Sequence, residues 1–181
     1  MSAEQIYDIV QNIMNKSKET DPFRIAESLG IYIRYDELGK LLGMYTIMHN
    51  CRFIIINRNL PYIWKRIVCA HELGHDTLHR RIAMSRALQE FGFIDLTSKP
   101  EYEANMFASE LLINDDEVLS LFQEQRDYWH IAAELNVDPN YLALKLRNMN
   151  MRGIDINCDV DPIYNILGNV EIPNINEYIS I

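Results

Sequence analysis

The sequence predicts an α+β fold that is mostly helical, with a small three-stranded antiparallel sheet and a C-terminal pair of helices resembling a helix-turn-helix. Three observations predict it: several segments have apolar residues at helical spacing, three successive short segments are rich in β-branched residues, and a turn separates the last two helical segments. With 181 residues, 48% apolar and 24% charged, the chain fits one globular domain with a small addition. We expect a main domain over 1–125 and a C-terminal helical subdomain and tail over 126–181, packed on it.

Two helices are predicted first. An amphipathic helix that ends near the polar stretch Asn15 to Asp21 is indicated by the apolar residues Ile6, Ile9, Val10, Ile13 and Met14. Asp21-Pro22 is typical of an N-cap followed by proline at the first helical position, and Gly30 of a C-terminal stop. A short helix is therefore expected from Pro22 to Leu29.

The next segments change to the two-residue period of strands. Residues 31–35, 43–48 and 52–57 are rich in β-branched and aromatic side chains. His49-Asn50-Cys51 can turn the last two into a hairpin, so we expect a three-stranded, largely antiparallel sheet.

Helical patterns return after this sheet. A long helix is predicted from Tyr62 to about Arg81 and another from Glu101 to about Ile113, with a loop or short helix over 82–98. Residues 130–151 predict helix, turn and helix. The last 28 or so residues, rich in Ile and Asn, resist assignment.

Composition limits the classes of function. The formal charge of −9 and pI of about 5.0 disfavour a phosphate backbone as a ligand, so no direct nucleic acid partner is expected. No apolar run is long enough to span a membrane, and the N-terminal segment lacks the pattern of a secretion signal. Cys51, Cys69 and Cys158 form no motif for disulfides or zinc thiolates. We therefore expect a cytoplasmic protein without membrane contact.

The most specific motif is His71-Glu72-Leu73-Gly74-His75, within the long predicted helix. Residues four apart lie on one helical face, so His71 and His75 can bind one metal ion, and Glu72 lies about 100° round the helix. Two histidines with one further ligand and a water are the coordination of catalytic zinc, and Glu72 is placed to accept that water's proton. One zinc ion is expected, with Mn²⁺ and Fe²⁺ as the other ions such a site accepts.

A third ligand must come from another element. His79 is too far from His71, about 12 Å along the helix, for both to hold one ion with His75 between them, and a helix-surface or substrate-facing role is expected for it. Among the carboxylates of the following helix, Glu103 shares part of the buried side, where a carboxylate needs a metal or partner. We therefore predict Glu103 as the ligand, Glu101 as a helix-dipole charge and Glu110 as a solvated or ion-paired face residue.

Further roles rest on weaker signals. An oxyanion donor is chemically required, and Tyr102, Tyr128 and His130 are candidates, although residues of these types are more often packing or surface residues. Asp76 is either an acceptor for a ligand imidazole or a solvated aspartate. A substrate groove or a hydrophobic plug under a loop would explain three apolar residues between the motif helices, Phe91, Phe93 and Ile94.

The motifs together resemble those of the ImmA/IrrE family of bacterial metallopeptidases. In order along about residues 20 to 150, the resemblance rests on DPFRIAESLGI, IIIN, RIVCAHELGHDTLH, EYEANMFASELL and IAAELNVDPNYLALKLR. It implies a zincin-like metallopeptidase domain over 1–125, with His71, His75 and Glu103 as metal ligands and Glu72 as catalytic acid/base.

The resemblance also implies a function. Members of that family commonly act as antirepressors of phages and integrative elements, cleaving a helix-turn-helix repressor. The expected function is therefore zinc endopeptidase activity on a cognate repressor, and the alternative is a non-proteolytic antirepressor that binds the repressor through the same fold. DNA binding by the terminal helices is disfavoured because Asp127, Glu134 and Asp138 offset their basic residues, which are Lys145, Arg147 and Arg152. These helices are expected to dock a protein or to complete the core.

Overall fold

A computed structural model describes residues 1–83, 88–90, 98–154 and 156. The predicted groove residues Phe91, Phe93 and Ile94 lie outside this range, as does the tail over 157–181. The described helices are α1 (Ala3–Ser17), α2 (Pro22–Ser28), α3 (Tyr62–Leu78), α4 (Arg80–Ala83), α5 (Lys99–Leu112), α6 (Asp115–Gln123), α7 (Tyr128–Glu134) and α8 (Pro139–Met151). The described strands are β1 (Ile31–Asp36), β2 (Gly43–Met48), β3 (Cys51–Asn57) and β4 (Leu88–Glu90).

Side-chain caps fix where the helices begin. The carboxylate of Asp21 accepts a hydrogen bond from the Phe23 amide at the start of α2, as the Asp-Pro pair predicted. Ser98 caps α5 through the Glu101 amide, and Asn114 caps α6, a helix that periodicity did not reveal. Most predicted helix limits hold to within a few residues, so local sequence determines these elements.

The sheet has the strand order β1-β3-β2-β4. The predicted hairpin of β2 and β3 is confirmed, and its turn residues His49 and Asn50 have φ of 50° and 64°, as a tight hairpin turn requires. The prediction of three antiparallel strands was wrong in two respects: β1 pairs with β3 in parallel, and β4 adds a fourth strand antiparallel to β2. Strand composition specifies that a segment is extended but not which neighbour it pairs with.

Helix α3 packs on the sheet and on α5. Tyr45, Ile54 and Ile56 are buried on the inner side of the sheet, and Leu73 is buried on α3. Gly74 lets α3 and α5 approach closely, because a Cβ there would lie 3.0 Å from the Cα of Ala104. The two helices that carry the predicted metal ligands are thus held side by side.

The predicted C-terminal pair of helices is confirmed in α7 and α8, and α8 packs on α5. Lys145 is buried there, with its Nζ 2.5 Å from Glu110 Oε2 and 2.5 Å from Asp115 Oδ1. Arg152 pairs with Asp115 at 2.9 Å, and the Arg147 guanidinium lies over the Tyr102 ring. Basic residues that could have met phosphates therefore serve internal packing.

No helix in the described ranges has both the length and the apolar character needed to cross a membrane.

Candidate metal centre

His71 and His75 stand one turn apart on the face of α3 that meets α5. Both are buried, and their ring centroids are 4.7 Å apart. Because residues four apart on a helix lie above one another, the motif alone brings these two rings together. The geometry predicted for the pair is present.

The carboxylate next to this pair belongs to Glu101. Its Oε2 lies 3.1 Å from Nε2 of His71 and 3.3 Å from Nε2 of His75. One atom from each of the three residues can be chosen so that all three atoms lie within 4.8 Å of one another, close enough for one ion. Glu101 is in the first turn of α5, which Ser98 caps, so the helix start aims this side chain at α3.

Glu103 does not join the histidine pair. Its Oε2 lies 3.0 Å from Nε2 of His79, and its Oε1 pairs with the amino group of Met1. Glu101 and Glu103 are two residues apart, so their side chains point about 200° away from each other around the helix axis. They therefore cannot both face His71 and His75. The prediction of a buried carboxylate at position 103 is confirmed, but the partner that stabilises it is His79 rather than the predicted site.

The sequence carries only a partial signal for Glu101, a second polar residue one turn later on the same face of α5. Asn105, one turn after Glu101, faces His71, with its Oδ1 3.0 Å from Nδ1 of the imidazole. The pair Glu101 and Asn105 at spacing i, i+4 therefore forms the stripe of α5 opposite the motif. Burial does not distinguish this stripe from the neighbouring one, which carries Glu103.

Each motif imidazole has a partner on its far nitrogen. Asn105 Oδ1 can only accept, so it favours a proton on His71 Nδ1, which frees the Nε2 lone pair to bind a metal ion in place of the hydrogen bond to Glu101. His75 Nδ1 lies 3.1 Å from His79 Nδ1, and Nε2 of His79 lies 3.0 Å from Oε2 of Glu103. Such outer partners orient imidazoles for metal binding. The prediction of a helix-surface role for His79 was wrong, since the residue is 7% exposed, and the substrate-facing role stays a prediction.

Electrostatics keeps these groups in the forms that bind a cation. Burial lowers the pKa of His75 to about 4, so its imidazole is neutral at pH 7. Burial acts to raise the pKa of the Glu101 carboxyl, but hydrogen bonds with His71 and His75 outweigh it and hold that pKa well below its usual range. The site therefore combines a neutral imidazole at His75 with a carboxylate at Glu101.

Glu72 is fully buried between α3 and the sheet. A Cβ on Gly43, the first residue of β2, would lie 3.3 Å from Glu72 Oε1 and 2.3 Å from Cγ1 of Val68. Glycine at the start of β2 therefore lets the strand approach the motif helix at the position of Glu72.

The donor set fits a zinc ion. Nε2 of His71, Nε2 of His75 and Oε2 of Glu101 converge from two helices, and each can offer an electron pair once the far nitrogens hold the imidazole protons. Three such atoms repel one another unless a proton or a cation lies between them. Two imidazole nitrogens and a carboxylate oxygen form a recognised protein ligand set for catalytic zinc.

Asp76, the residue after the motif, is neither solvated nor bonded to a ligand imidazole. It is 1% exposed and accepts hydrogen bonds from Tyr45 at 2.5 Å, from Arg52 at 2.9 Å and from Arg80 at 2.8 Å. The aspartate thus ties α3 to β2 and β3, which holds the motif helix against the sheet.

Two of the predicted oxyanion candidates have other partners. Tyr128 donates its hydroxyl to the carbonyl of Pro139, and the exposed His130 pairs with Asp127 in its own helix cap. Tyr102 follows Glu101 directly and remains a prediction.

Comparisons with known proteins show the family of the chain. Residues 26–147, more than half of the chain, match the IrrE N-terminal-like domain, peptidase family M78. The chain belongs to this family. The resemblance predicted from the motifs is confirmed, and membership of a metallopeptidase family implies a metal ion.

Two curated proteins from this lineage are similar in sequence. An "Uncharacterized immunity region protein 2" of Bacillus phage phi105 is 36% identical over 107 residues, which cover 59% of this chain and 66% of that protein. "Metallopeptidase ImmA" of Bacillus subtilis strain 168 is 32% identical over 110 residues, covering 59% and 62%. The alignments thus span just under two thirds of each relative. No solved structure matches the chain significantly.

Proposed function

We propose that this protein is a cytoplasmic zinc endopeptidase that cleaves a cognate helix-turn-helix repressor and so acts as an antirepressor of a phage or integrative element. The observation that carries the proposal is the convergence of His71, His75 and Glu101, with Glu72 directly after His71 in the motif. We assign the third metal ligand to Glu101, in place of Glu103, because its carboxylate lies 3.1 and 3.3 Å from the two Nε2 atoms. We also propose, as part of the same function, that the main domain is zincin-like.

The residues divide the chemistry of peptide hydrolysis between them. Zinc, when bound, lowers the pKa of a water toward about 7 and polarises the scissile carbonyl. His71, His75 and Glu101 would hold the ion. Glu72 takes the proton from the attacking water and donates it to the leaving amine nitrogen, and its burial keeps bulk water from competing for that proton.

A regulatory protein is the proposed substrate because of the names that the relatives carry and the charge of the chain. One relative is named for a phage immunity region and the other as a metallopeptidase. The charge of −9 and the burial of Lys145 favour a neutral or basic protein over a phosphate backbone. The repressor is thus proposed as the substrate, with no direct contact to DNA.

The ligand assignment is tested by a matched pair of variants. Glu101→Gln and Glu103→Gln each replace one carboxylate of the same helix by its amide. We expect Glu101→Gln to lower zinc affinity by at least 100-fold and Glu103→Gln to lower it by less than about tenfold, because one loses a ligand and the other a partner of an outer histidine. Zinc competition with a chromophoric chelator measures both, and the reverse order would return the assignment to Glu103. Metal analysis of the purified protein distinguishes zinc from manganese or iron.

The reaction is tested with the purified repressor encoded nearby. The intact chain should cleave it, and both a chelator and Glu72→Gln should abolish cleavage while Glu72→Gln still binds zinc. If the repressor stays whole yet leaves its operator, the protein is a non-proteolytic antirepressor instead. Full cleavage by Glu72→Gln would remove that residue from the mechanism.

A further inference from the structure

The C-terminal helix α8 reaches the candidate metal centre through one hydroxyl group. Tyr141, in the first turn of α8, donates a hydrogen bond of 2.8 Å to Oδ1 of Asn105. The same Oδ1 lies 3.0 Å from Nδ1 of His71. All three side chains are buried, so solvent does not compete for these bonds.

The chemistry of the Asn105 amide determines which groups donate and which accept in this series of hydrogen bonds. An amide oxygen has two lone pairs and no proton, so Asn105 can accept from Tyr141 and from His71 together. With Oδ1 facing His71, the imidazole proton stays on Nδ1 and the Nε2 lone pair can bind a metal ion. The opposite amide orientation would offer an N–H group to Nδ1 and move the imidazole proton to Nε2, where it would block binding.

We propose that Tyr141 is a positioning residue for the metal centre, acting through Asn105 on His71. This inference rests on the proposed metal-dependent function, because it assigns Tyr141 a role in holding a metal ligand. It also makes α8 part of the catalytic unit, although α8 lies beyond the boundary predicted after residue 125.

Neighbouring polar contacts keep α8 in register with α5. Asn148 donates to Ser109 Oγ at 3.2 Å, and Lys145 pairs with Glu110. Together with Tyr141 and Asn105, these contacts join α8 to α5 at successive turns of the helix that supplies Glu101. A shift of α8 along α5 would break the Tyr141 contact.

The two ligand histidines differ in where their support comes from. His75 is supported by His79, the C-terminal cap of its own helix, and then by Glu103 of α5. His71 is supported from α5 and, through Asn105, from α8. Only the His71 side of the site, within the described residues, therefore depends on this link to the C-terminal helix pair.

The test compares two variants that each remove one buried hydroxyl. Tyr141→Phe removes the proposed link, whereas Tyr128→Phe removes the hydroxyl that donates to the Pro139 carbonyl within the α7 and α8 pair. We expect Tyr141→Phe to weaken zinc binding about two- to tenfold, the worth of one net hydrogen bond, and Tyr128→Phe to leave zinc binding unchanged. Stability of the metal-free proteins, measured alongside, shows whether the two variants are comparable in folding.

Variants at Asn105 test the residue that links Tyr141 to His71. Asn105→Leu, which has no acceptor, should weaken zinc binding about 10- to 100-fold, and Asn105→Asp, which keeps an acceptor oxygen, should retain it. The absorption spectrum of the cobalt-substituted protein provides a second readout, since a rotated His71 changes the ligand field. We expect changed spectra for Tyr141→Phe and Asn105→Leu only.

The outcomes separate this inference from the proposed function. Wild-type zinc affinity and an unchanged cobalt spectrum in Tyr141→Phe would overturn the positioning role while the peptidase proposal stands. Equal weakening in Tyr128→Phe would also overturn it, because the effect would then come from helix packing in general. Failure of the unmodified chain to bind zinc would refute the metal site and the inference together.

Discussion

The glycine at the start of β2 controls how closely the sheet approaches the motif helix. In Gly43→Ala the new Cβ would lie 2.3 Å from Cγ1 of Val68, where carbon atoms at rest are about 3.5 to 4.0 Å apart. Valine on a helix has one preferred rotamer, so Val68 cannot easily turn away. We expect the substitution to lower the free energy of unfolding by about 1 to 3 kcal/mol, as overpacking usually does.

A compensating substitution makes this prediction quantitative. Val68→Ala removes two buried methyl groups and should cost about 2 kcal/mol on its own, from lost burial and the remaining cavity. In the double variant the methyl group introduced at position 43 enters the space that the Val68 side chain leaves. We therefore expect the double variant to lose about 2 kcal/mol in total, a favourable coupling of about 1 to 3 kcal/mol relative to the sum.

Urea denaturation of the metal-free proteins, at equilibrium, measures this coupling. Val118→Ala on α6 is the matched control, because Val118 is equally buried but lies on another element, and its cost should simply add to that of Gly43→Ala. Strict additivity of the Gly43 and Val68 substitutions would refute the reasoning, since it would mean that the two side chains do not compete for one space.

Other predictions follow from the same contacts. Gly74→Ala should lower zinc affinity and destabilise by about 1 to 3 kcal/mol, because its Cβ would meet the backbone of Ala104, 3.0 Å away; unchanged affinity in chelator competition would contradict it. The pKa of His75 is about 4 in the folded chain and 6.5 ordinarily, so as pH falls from 6.5 to 4 the unfolded state takes up this proton first. The free energy of unfolding of the metal-free protein should thus fall by up to about 3 kcal/mol over that window, and that of His75→Gln should fall by less. If urea denaturation gave the same pH dependence for both proteins, His75 would not be the source of the loss. Asp76→Asn should lower the free energy of unfolding by about 2 kcal/mol. This is less than the loss of a fully buried ion pair would cost, because Arg52, the partner of Asp76, is 23% exposed. A measured loss near zero would show that the ion pair of Asp76 and Arg52 contributes little to stability.

The local elements and half of the site could be predicted because their determinants are close in sequence. His71, Glu72 and His75 need only a helix and a spacing of four. Glu101 could not be chosen by the same means, since its distance from the histidines depends on how α5 is rotated against α3. Burial pointed to Glu103 because a buried carboxylate needs a partner, and the partner, His79, directly follows the helix that carries the motif.

In the sheet, too, pairing between neighbouring segments could be predicted from the sequence and pairing between distant segments could not. The β2 and β3 hairpin is determined by residues within fifteen positions, including the turn at His49 and Asn50. The parallel pairing of β1 with β3 joins segments separated by β2, and nothing in the composition of β1 favours one partner over another. Helix α6 was not among the predicted elements, although Asn114 accepts hydrogen bonds from the Asp116 and Glu117 amides as an N-cap does.

The position of Glu101 affects how an ion enters and leaves. The residue lies in the first turn of α5, and helix ends open locally at far lower cost than helix centres. His71 and His75, by contrast, lie in the buried second half of α3. With Glu101 as the proposed third ligand, we expect an ion to be released by fraying of this one turn while both histidines stay in place, and we expect a weaker Ser98 cap to speed that release.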